Sequence, residues 1–283
     1  MDWPGDLEAA RLWYAEGLRA TAPIRRVSVA RAFATVPRER FLGPGPWRIH
    51  PRLWGAPPHT SATDDPREVQ HDVLVSIDEA RDLNNGQPSL WARIIDRLAI
   101  EPGEAVLQVG TGTGYFTAIL SEIVGPAGRV LGYEIDERLA TRAAEALRDR
   151  PWARVVAGDA TGARDLPPLD VVVAAAGATH VPEAWLGALA PGGRMVLPLT
   201  GEDGHGILLR LERGGDRIGA SSLGRCGYYH CAGASDPAEA AALTRLLRDD
   251  PPRLDAFHPG PPPRDASRVW HAGRTGWLSR GPG

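Results

Sequence analysis

The chain has 283 residues, 43% of them hydrophobic, which provides enough apolar surface for a large folded core. Its formal charge of -3 and isoelectric point near 6.3 exclude the strongly basic balance of a dedicated nucleic-acid-binding protein. Two cysteines and no apolar run long enough to span a bilayer predict a cytoplasmic protein with no disulfide framework and no membrane partner. We expect a monomer. The chain contains no lysine, which excludes Schiff-base chemistry on that side chain.

The first part of the chain is predicted to form a helical cap. Apolar residues at helical spacing indicate helices over 6–20 and 24–36, the second ended by Pro37. Proline and glycine in "LGPGPW" (42–47) and "GAPPHTS" (55–61) then predict an irregular segment.

After an Asn-Gly turn signal at Asn85–Gly86, the pattern becomes regular. Short apolar runs alternate with amphipathic helices: strands over 105–110, 128–135, 153–159 and 169–177, and helices over 87–99, 114–124, 137–149 and 182–189. This alternation predicts an α/β fold, with a doubly wound and mostly parallel sheet. Runs at 194–199 and 206–214, the first preceded by a Pro-Gly-Gly turn (191–193), predict an antiparallel edge hairpin.

The end of the chain is rich in proline and glycine. We expect one helix over 237–249, and we expect the tail to dock because a linker rarely contains two tryptophans, here Trp270 and Trp277. The predicted division is a cap and substrate-side segment (1–80), a catalytic domain (81–215) and a C-terminal extension (216–283).

A glycine-rich turn joins the first strand of this α/β region to the next helix. "VLQVGTGTGYFTAIL" (106–120) places three glycines where the backbone can approach a ligand closely. Glu134 ends the next strand, where a carboxylate accepts ribose hydroxyls, and Asp159 follows the third strand, where it can face an adenine edge. A surface glutamate and a loop-capping aspartate are the alternative interpretations. Together the three features favour an adenosine ligand.

The glycine spacing separates two ligand classes. A nicotinamide-dependent oxidoreductase uses Gly-x-Gly-x-x-Gly around a pyrophosphate, whereas this loop is Gly-x-Gly-x-Gly and resembles that of S-adenosylmethionine (SAM) methyltransferases. The resemblance extends over roughly residues 23–212 to the protein-L-isoaspartate O-methyltransferase family. Its landmarks occur in order: "VPRERFLGP" (36–44), "GQPSLWA" (86–92), "VLQVGTGTGY" (106–115), "GDATGARDLPPLDVVVAAAG" (158–177) and "LAPGGRMVLPL" (189–199).

The resemblance implies a class I SAM-methyltransferase fold and a set of binding residues. Those expected at the cofactor are Gln108, Gly110, Thr111, Gly112, Thr113, Gly114, Tyr115, Glu134, Asp159 and Ala160. Those expected at the substrate are Asn84, Gln87, Pro88, Ala175, Ala176 and His180, the last beside the "AAAGATH" loop (174–180).

Two positions depart from the family. Gly86 stands where members carry a serine near the substrate carboxylate, so we predict Asn85, Gly86 and Ser89 as the catalytic segment, with Asn85 or Ser89 replacing the hydroxyl. Gln108 stands where an acidic residue is usual. A pseudo-enzyme that binds peptide without transferring methyl is the alternative that these departures leave open.

The implied substrate is a protein or peptide with an aspartyl or isoaspartyl carboxylate. Such a group, with a pKa of roughly 4, is already ionised at neutral pH, so we expect no general base. The ester would cyclise to a succinimide. The altered serine position and the long tail favour one dedicated, ribosomally made and modified peptide, with general isoaspartyl repair and a small-molecule methyltransferase as alternatives.

Two local motifs complete the predictions. The segment "CGYYHC" (226–231) favours packing or a groove wall over zinc, and no metal is predicted. Asn85–Gly86 is a deamidation-prone dipeptide, so a rigid site predicts slow deamidation of Asn85 in the folded protein.

Overall fold

The computed structural model describes residues 6–51, 56–249 and 253–281. Its helices are α1 (Leu7–Thr21), α2 (Val27–Thr35), α3 (Pro88–Leu98), α4 (Tyr115–Val124), α5 (Glu137–Ala146), α6 (Glu183–Ala188) and α7 (Pro237–Leu246). Its strands are β1 (Arg48–His50), β2 (His59–Thr60), β3 (Leu74–Asp78), β4 (Leu83–Asn84), β5 (Ala105–Val109), β6 (Arg129–Glu134), β7 (Ala153–Ala157), β8 (Leu169–Ala174), β9 (Leu189–Thr200), β10 (His205–Gly214), β11 (Arg217–Gly227), β12 (Leu254–Pro259), β13 (Val269–Gly273) and β14 (Gly276–Arg280). Within these ranges, no helix is both long and apolar enough to cross a membrane.

The chain divides into two compact units, a helical unit and a sheet unit. The helical unit comprises the described parts of Met1–Gly103, Thr111–Val130 and Asp136–Val155. The sheet unit comprises the described parts of Glu104–Gly110, Leu131–Ile135 and Val156–Gly283. The domain limits predicted from the sequence remain predictions.

Ten strands, each wholly or partly in the sheet unit, form one sheet in the order β13-β14-β12-β11-β10-β9-β8-β5-β6-β7. β5, β8 and β9 are parallel neighbours, whereas β9, β10 and β11 pair antiparallel. All five residues of β5 are buried, as expected for a central parallel strand. The predicted α/β fold, with a parallel centre and an antiparallel hairpin, is confirmed.

The sheet continues beyond that hairpin. The proline-rich tail, for which the sequence indicated only docking, contains three strands: β12, β14 and β13 extend the sheet past β11. Trp270 is buried in the core, and Trp277 stacks on His258 with 4.0 Å between the ring centroids. The tail docks as predicted, but it does so by strand pairing.

The turn expected at 191–193 is also absent as a separate loop. β9 starts at Leu189, which pairs with Leu169, and Arg194 pairs with Val171. Residues 190–193 therefore form an irregularity within the strand, because four residues of β9 oppose the single Asp170 of β8. The pattern of glycines marked the bulge and not a strand end.

In the helical unit, Asp6 is the N-cap of α1, and its carboxylate accepts a hydrogen bond from the Ala9 N–H. Residues 42–61 were expected to be irregular, but β1 and β2 lie there and form a four-stranded sheet with β3 and β4, in the order β2-β1-β3-β4. Its core consists of Leu42, Trp47, Ile49, Val69 and Val75. Backbone pairing with β3 overrides the local proline and glycine signals.

Candidate functional site

The predicted cofactor loop joins β5 to α4. The Gly110 N–H donates to the Tyr133 carbonyl at 2.8 Å, and Gly114, with φ +95°, is the N-cap of α4. A Cβ at Gly114 would lie 3.1 Å from the Ala143 Cβ, so both the backbone and the packing require glycine there. The loop therefore leads directly into the N-terminus of α4, the positive end of the helix dipole.

Thr111 and Gly112 lie in the middle of this loop. Thr111 is buried, and its hydroxyl has no hydrogen-bond partner among the described residues. A buried orphan hydroxyl is uncommon and is satisfied when a ligand brings a polar group. A Cβ at Gly112 would meet only Ile77, at 3.7 Å, so this side of the loop has room. Both observations fit a polar ligand such as an adenosyl cofactor.

Tyr115 belongs to the core. Its hydroxyl lies 3.3 Å from that of Tyr14, and burial raises the pKa of both phenols, that of Tyr14 to about 12. The Tyr115 ring also packs at 5.0 Å from that of Phe116. Any cofactor contact of Tyr115 must come from its backbone.

The predicted cofactor residues on the strands are buried to different degrees. Gln108 is fully buried in β5, and Glu134 is nearly so at the end of β6. Asp159 accepts hydrogen bonds from the N–H and hydroxyl of Thr161, both at 2.8 Å, so it performs the loop-capping role considered as its alternative. The carbonyl of Ala160 accepts the indole N–H of Trp185 at 2.9 Å. Their assignment to the cofactor stays a prediction.

The predicted substrate segment leads from β4 into α3, which starts at Pro88. Asn84 Oδ1 accepts the Gly86 N–H at 2.9 Å, and the Gln87 side chain donates to Ser89 Oγ at 3.2 Å. Asp72, which the sequence did not single out, accepts the Ser89 N–H at 2.8 Å and so caps the helix start. Only tertiary structure brings Asp72 to this position, 17 residues away.

Gly86 cannot simply be exchanged for the family serine. It has φ +79°, and a Cβ would lie 2.9 Å from Phe116 Cε2 and 3.0 Å from Trp91 Nε1. The Trp91 and Phe116 rings are stacked at 4.3 Å with an interplanar angle of 9°. The space that a hydroxyl side chain would occupy is therefore filled by this aromatic pair.

Asn85 is tied to the interior. Its Oδ1 accepts the Val75 N–H at 3.1 Å and an Arg38 N–H at 3.3 Å, and its own N–H donates to the Val75 carbonyl at 2.9 Å. Asn85 is 8% exposed, and its Nδ2 has no partner among the described residues. One face of the carboxamide is thus fixed, and one buried donor is available.

Arg38 carries a buried positive charge without a carboxylate. It is fully buried and donates to the carbonyls of Val69 and His71, both at 2.7 Å, and of Val73 at 2.6 Å. Within the described residues it forms no ion pair; its guanidinium lies over the Tyr14 and Tyr115 rings, at 5.8 and 5.9 Å from their centroids. The Arg38 cluster is defined here as Arg38, Asn85, Val69, His71 and Val73.

The predicted alanine loop (174–180) starts against the cofactor loop. The Ala175 N–H donates to the Val109 carbonyl at 2.8 Å, and a Cβ on Gly110 would lie 3.4 Å from the Ala175 Cβ. Ala176 is half-buried. At the far end of the loop, His180 is buried, and its Nδ1 lies 2.8 Å from Glu239 Oε2.

Three residues missed from the sequence surround His180. The Thr179 hydroxyl donates to Glu239 Oε2 at 2.6 Å, and His271 Nε2 donates to the Thr179 carbonyl at 2.9 Å. Burial raises the pKa of Glu239, but hydrogen bonds from Thr179 and His180 outweigh it and the net shift is downward. Burial lowers the pKa of His271. Thr179, His180, Glu239 and His271 form the Glu239 cluster; no local pattern relates Glu239 to a loop 60 residues earlier.

The "CGYYHC" segment lies along the alanine loop. The Gly177 N–H donates to the Tyr229 carbonyl at 2.7 Å, and the Cys231 N–H donates to the Gly177 carbonyl at 2.8 Å. Neither Cys226 nor Cys231 forms a disulfide within the described residues, and burial raises the pKa of the Cys231 thiol. In the described ranges, no three His, Cys, Asp or Glu side chains are grouped to hold a metal.

Comparisons with known proteins agree on one family. Residues 14–231 match the pattern that defines the protein-L-isoaspartate(D-aspartate) O-methyltransferases (PCMT). A protein-L-isoaspartate O-methyltransferase 1 of Anaeromyxobacter sp. is 34% identical over 78% of this chain and 92% of its own length, and a protein-L-isoaspartate O-methyltransferase of Ignicoccus hospitalis is 32% identical over 69% and 83%.

Solved structures show the same fold. A protein-L-isoaspartate O-methyltransferase superposes with a TM-score of 0.66 at 21% identity, over 89% of this chain and 74% of the other. A methyltransferase from Plasmodium falciparum, solved with S-adenosyl-L-homocysteine, superposes with a TM-score of 0.63 at 17% identity, over 79% of this chain and 98% of the other.

Proposed function

The chain belongs to the protein-L-isoaspartate(D-aspartate) O-methyltransferase family, and on that premise we propose that its acceptor is an aspartyl or isoaspartyl carboxylate in one dedicated, ribosomally made and modified peptide. As a family member, it is a SAM-dependent enzyme that methylates isoaspartyl carboxylates in proteins, an activity consistent with repair. This membership removes the nicotinamide-dependent alternative. The specialised acceptor goes further than the family does.

One observation carries the specialised acceptor. The place of the family serine is taken by Gly86, and the volume beside it is filled by the Trp91–Phe116 stack. The acceptor carboxylate must therefore be held by other donors than in relatives. A changed set of donors at the reacting group supports a changed acceptor.

We assign the cofactor to the loop Gly110–Tyr115, to Gln108 and Glu134, and to Asp159–Ala160. The orphan Thr111 hydroxyl and the open side of Gly112 support this fit. When bound, SAM supplies a methyl group on a sulfonium that a carboxylate oxygen can attack. The N-terminus of α4 adds backbone N–H groups and the positive end of a helix dipole.

We assign the acceptor carboxylate to the segment Asn84–Ser89, and the neighbouring acceptor backbone to Ala175, Ala176 and His180. The carboxylate is ionised at neutral pH, so these residues need only orient it and exclude water, and no general base is required. The Asn85 Nδ2, a buried donor, is the proposed replacement for the missing hydroxyl. Ser89, buried at the start of α3, is the second candidate.

The ester product then reacts without the enzyme. The backbone nitrogen of the following residue attacks the ester carbonyl, the bond to methoxide breaks, and the nitrogen proton leaves with it as methanol. The product is a succinimide. In a peptide held by its modifications, this ring would persist as the final structure, whereas repair requires it to open.

The experiment is a competition between two acceptors. The enzyme and radiolabelled SAM are incubated with an isoaspartyl model peptide and with an Asp-containing modified precursor peptide encoded near the gene. The proposal expects methylation of the precursor, followed by loss of methanol to a succinimide. Methylation of the isoaspartyl peptide alone would show general repair and overturn the specialised acceptor.

A binding measurement separates loss of transfer from loss of cofactor. S-adenosylhomocysteine is titrated calorimetrically into the wild-type enzyme and into Asn85→Leu. We expect equal cofactor affinity in both and a lower methylation rate in the variant. No S-adenosylhomocysteine binding by the wild type would contradict the cofactor assignment.

A further inference from the structure

The loop that we assign to the acceptor is anchored at both ends. The acceptor loop, Ala174–His180, starts at the carboxyl end of β8, where ligands bind in open α/β sheets. Its first residues run against Val109 and Gly110. Farther along, the Ala178 N–H donates to the Pro198 carbonyl, and the Thr179 N–H donates to the Ala234 carbonyl, both at 2.8 Å. The loop thus passes from the cofactor side to the C-terminal extension.

Thr179 is the junction with that extension. Its hydroxyl accepts the Asp236 N–H at 3.0 Å and donates to Glu239 Oε2 at 2.6 Å. Asp236 is the N-cap of α7, and its carboxylate accepts the Ala238 and Glu239 N–H groups. The start of α7 is therefore bound to the acceptor loop by a backbone donor and by a carboxylate.

Glu239 bonds in two directions. Oε2 meets Thr179 and His180, and Oε1 accepts the Arg274 N–H in the turn between β13 and β14. A Cβ on Gly273 would lie 2.9 Å from the His180 Cβ, so the turn lies directly against His180. His180 is 6% exposed because α7 and this hairpin enclose it.

The partners of the loop in these contacts, Asp236, Glu239 and the turn at Arg274, lie outside the family pattern, which ends at residue 231. We propose that Glu239 is a positioning residue. It joins the C-terminal extension to the acceptor loop and holds the loop in place, so that the extension contributes to selecting the acceptor peptide. The proposal rests on the assignment of this loop to the acceptor under the proposed function. When the loop is already ordered, binding of the acceptor does not have to supply the free energy of ordering it. Loss of this order should therefore lower the affinity for the acceptor and leave the affinity for the cofactor unchanged.

The test compares Glu239→Ala and Glu239→Gln with a control on the same helix. Thr244→Ala removes a hydroxyl that accepts the Glu202 N–H and donates to the Ala240 carbonyl, and both of these partners lie outside the loop. Full-length proteins are compared in acceptor KM, SAM KM, kcat and thermal unfolding. Gln keeps the shape of Glu239 but loses its charge, so it separates packing from charge-assisted hydrogen bonding.

We expect Glu239→Ala to raise the acceptor KM by about tenfold, the effect of losing charge-assisted hydrogen bonds, with SAM KM unchanged. Glu239→Gln should fall between the wild type and Ala. Thr244→Ala should change stability alone. An unchanged acceptor KM in Glu239→Ala, with a loss of stability like that of Thr244→Ala, would reduce Glu239 to a structural anchor and overturn the proposal.

Hydrogen exchange reads the loop directly and does not depend on the acceptor. The N–H groups of Gly177, Ala178 and Thr179, all bonded in the wild type, should exchange about tenfold faster in Glu239→Ala and at the wild-type rate in Thr244→Ala. Equal rates in both variants overturn the proposal. A wild type that methylates no aspartyl or isoaspartyl acceptor refutes the proposed function instead, and the exchange comparison still decides whether Glu239 orders the loop.

Discussion

The Arg38 cluster and the Glu239 cluster each hold one of the two predicted acceptor segments, and they do so with opposite charges. In the helical unit, a buried guanidinium donates to three carbonyls and the Asn85 carboxamide, and within the described residues no carboxylate pairs with it. In the sheet unit, a carboxylate is satisfied by a hydroxyl and an imidazole. No guanidinium titrates in the working range of a protein, whereas the second cluster contains His271, a titratable imidazole whose pKa is lowered by burial. The first anchor is therefore constant, and the second responds to pH.

The largest expected effect comes from removing the Arg38 guanidinium. Arg38→Met removes the guanidinium donors from the carbonyls of Val69, His71 and Val73 and from the Asn85 carboxamide. The His71 carbonyl keeps the Val73 N–H and the Asn85 carboxamide keeps the Val75 N–H, whereas the Val69 and Val73 carbonyls lose their donor. A buried acceptor left without a donor costs about 1–3 kcal/mol, so the two carbonyls together correspond to a loss of about 2–6 kcal/mol of unfolding free energy. Urea unfolding followed by fluorescence measures this loss. A loss below about 1 kcal/mol would show that water replaces the guanidinium without penalty.

Asn85→Asp is the matched control for that cluster. It places a carboxylate beside Arg38 while keeping the acceptor for the Val75 N–H. We expect stability at pH 7 to stay equal or rise by about 1 kcal/mol, while methylation falls because the Nδ2 donor is lost. Undiminished methylation in this variant would remove Asn85 from the acceptor site.

Restoring the family serine has the next largest effect. Gly86→Ser places a Cβ at φ +79° against Phe116 and Trp91, which costs about 1–3 kcal/mol. Activity should therefore fall, although a hydroxyl is regained. Gly103→Ser, at φ +87° with nothing within 4 Å, has similar backbone strain without the contact. Thermal unfolding of the two variants isolates the aromatic contact, and equal changes in melting temperature would contradict it.

The smallest expected effect is the pH dependence that His271 gives to the Glu239 cluster. Burial lowers the folded pKa of His271 below its ordinary value of 6.5, so the folded state favours the neutral ring. The contribution of His271 to the free energy of unfolding is fully present above pH 6.5. It decreases as the pH falls below that value, because the unfolded chain binds the proton first. A tenfold difference in proton affinity between the two states corresponds to about 1.4 kcal/mol. Glu239 and His180 are the charged or titratable groups that act on the ring.

Urea unfolding of the wild type and His271→Gln at pH 7.5 and 5.5 measures this response. Gln retains an N–H donor for the Thr179 carbonyl but cannot titrate. The fall in stability on acidification should therefore be smaller in the variant. An equal fall in both proteins would assign the pH response to other groups.

The parts of the fold that sequence predicted are those with local signals. The alternation of strands and helices gave the α/β fold because each element carries its own periodicity, and the glycine loop was found because Gly110, Gly112 and Gly114 serve the backbone where they stand. The short strands β1 and β2 and the tail strands were missed. Their pairing partners lie elsewhere in the chain, and their local composition indicates turns.

The candidate site divides in the same way. The motif predicts Asn84, Gln87 and Ser89 as site residues, but it cannot predict which side chains lie next to them. Arg38 reaches Asn85 across 47 residues, and Glu239 reaches Thr179 across 60. Tyr115 shows the converse limit, because the motif predicts a cofactor residue there while its side chain packs in the core.

The fixed geometry of Asn85–Gly86 also governs how this protein ages. Succinimide formation at Asn85 needs the Gly86 nitrogen to attack the carboxamide carbon, yet that N–H is bonded to Asn84 and the carboxamide oxygen to Val75 and Arg38. Only molecules in which this segment has opened can react. Any aspartate or isoaspartate that forms at position 85 during storage would therefore report how often the segment has opened, and isoaspartate is the residue that the enzyme's own family methylates.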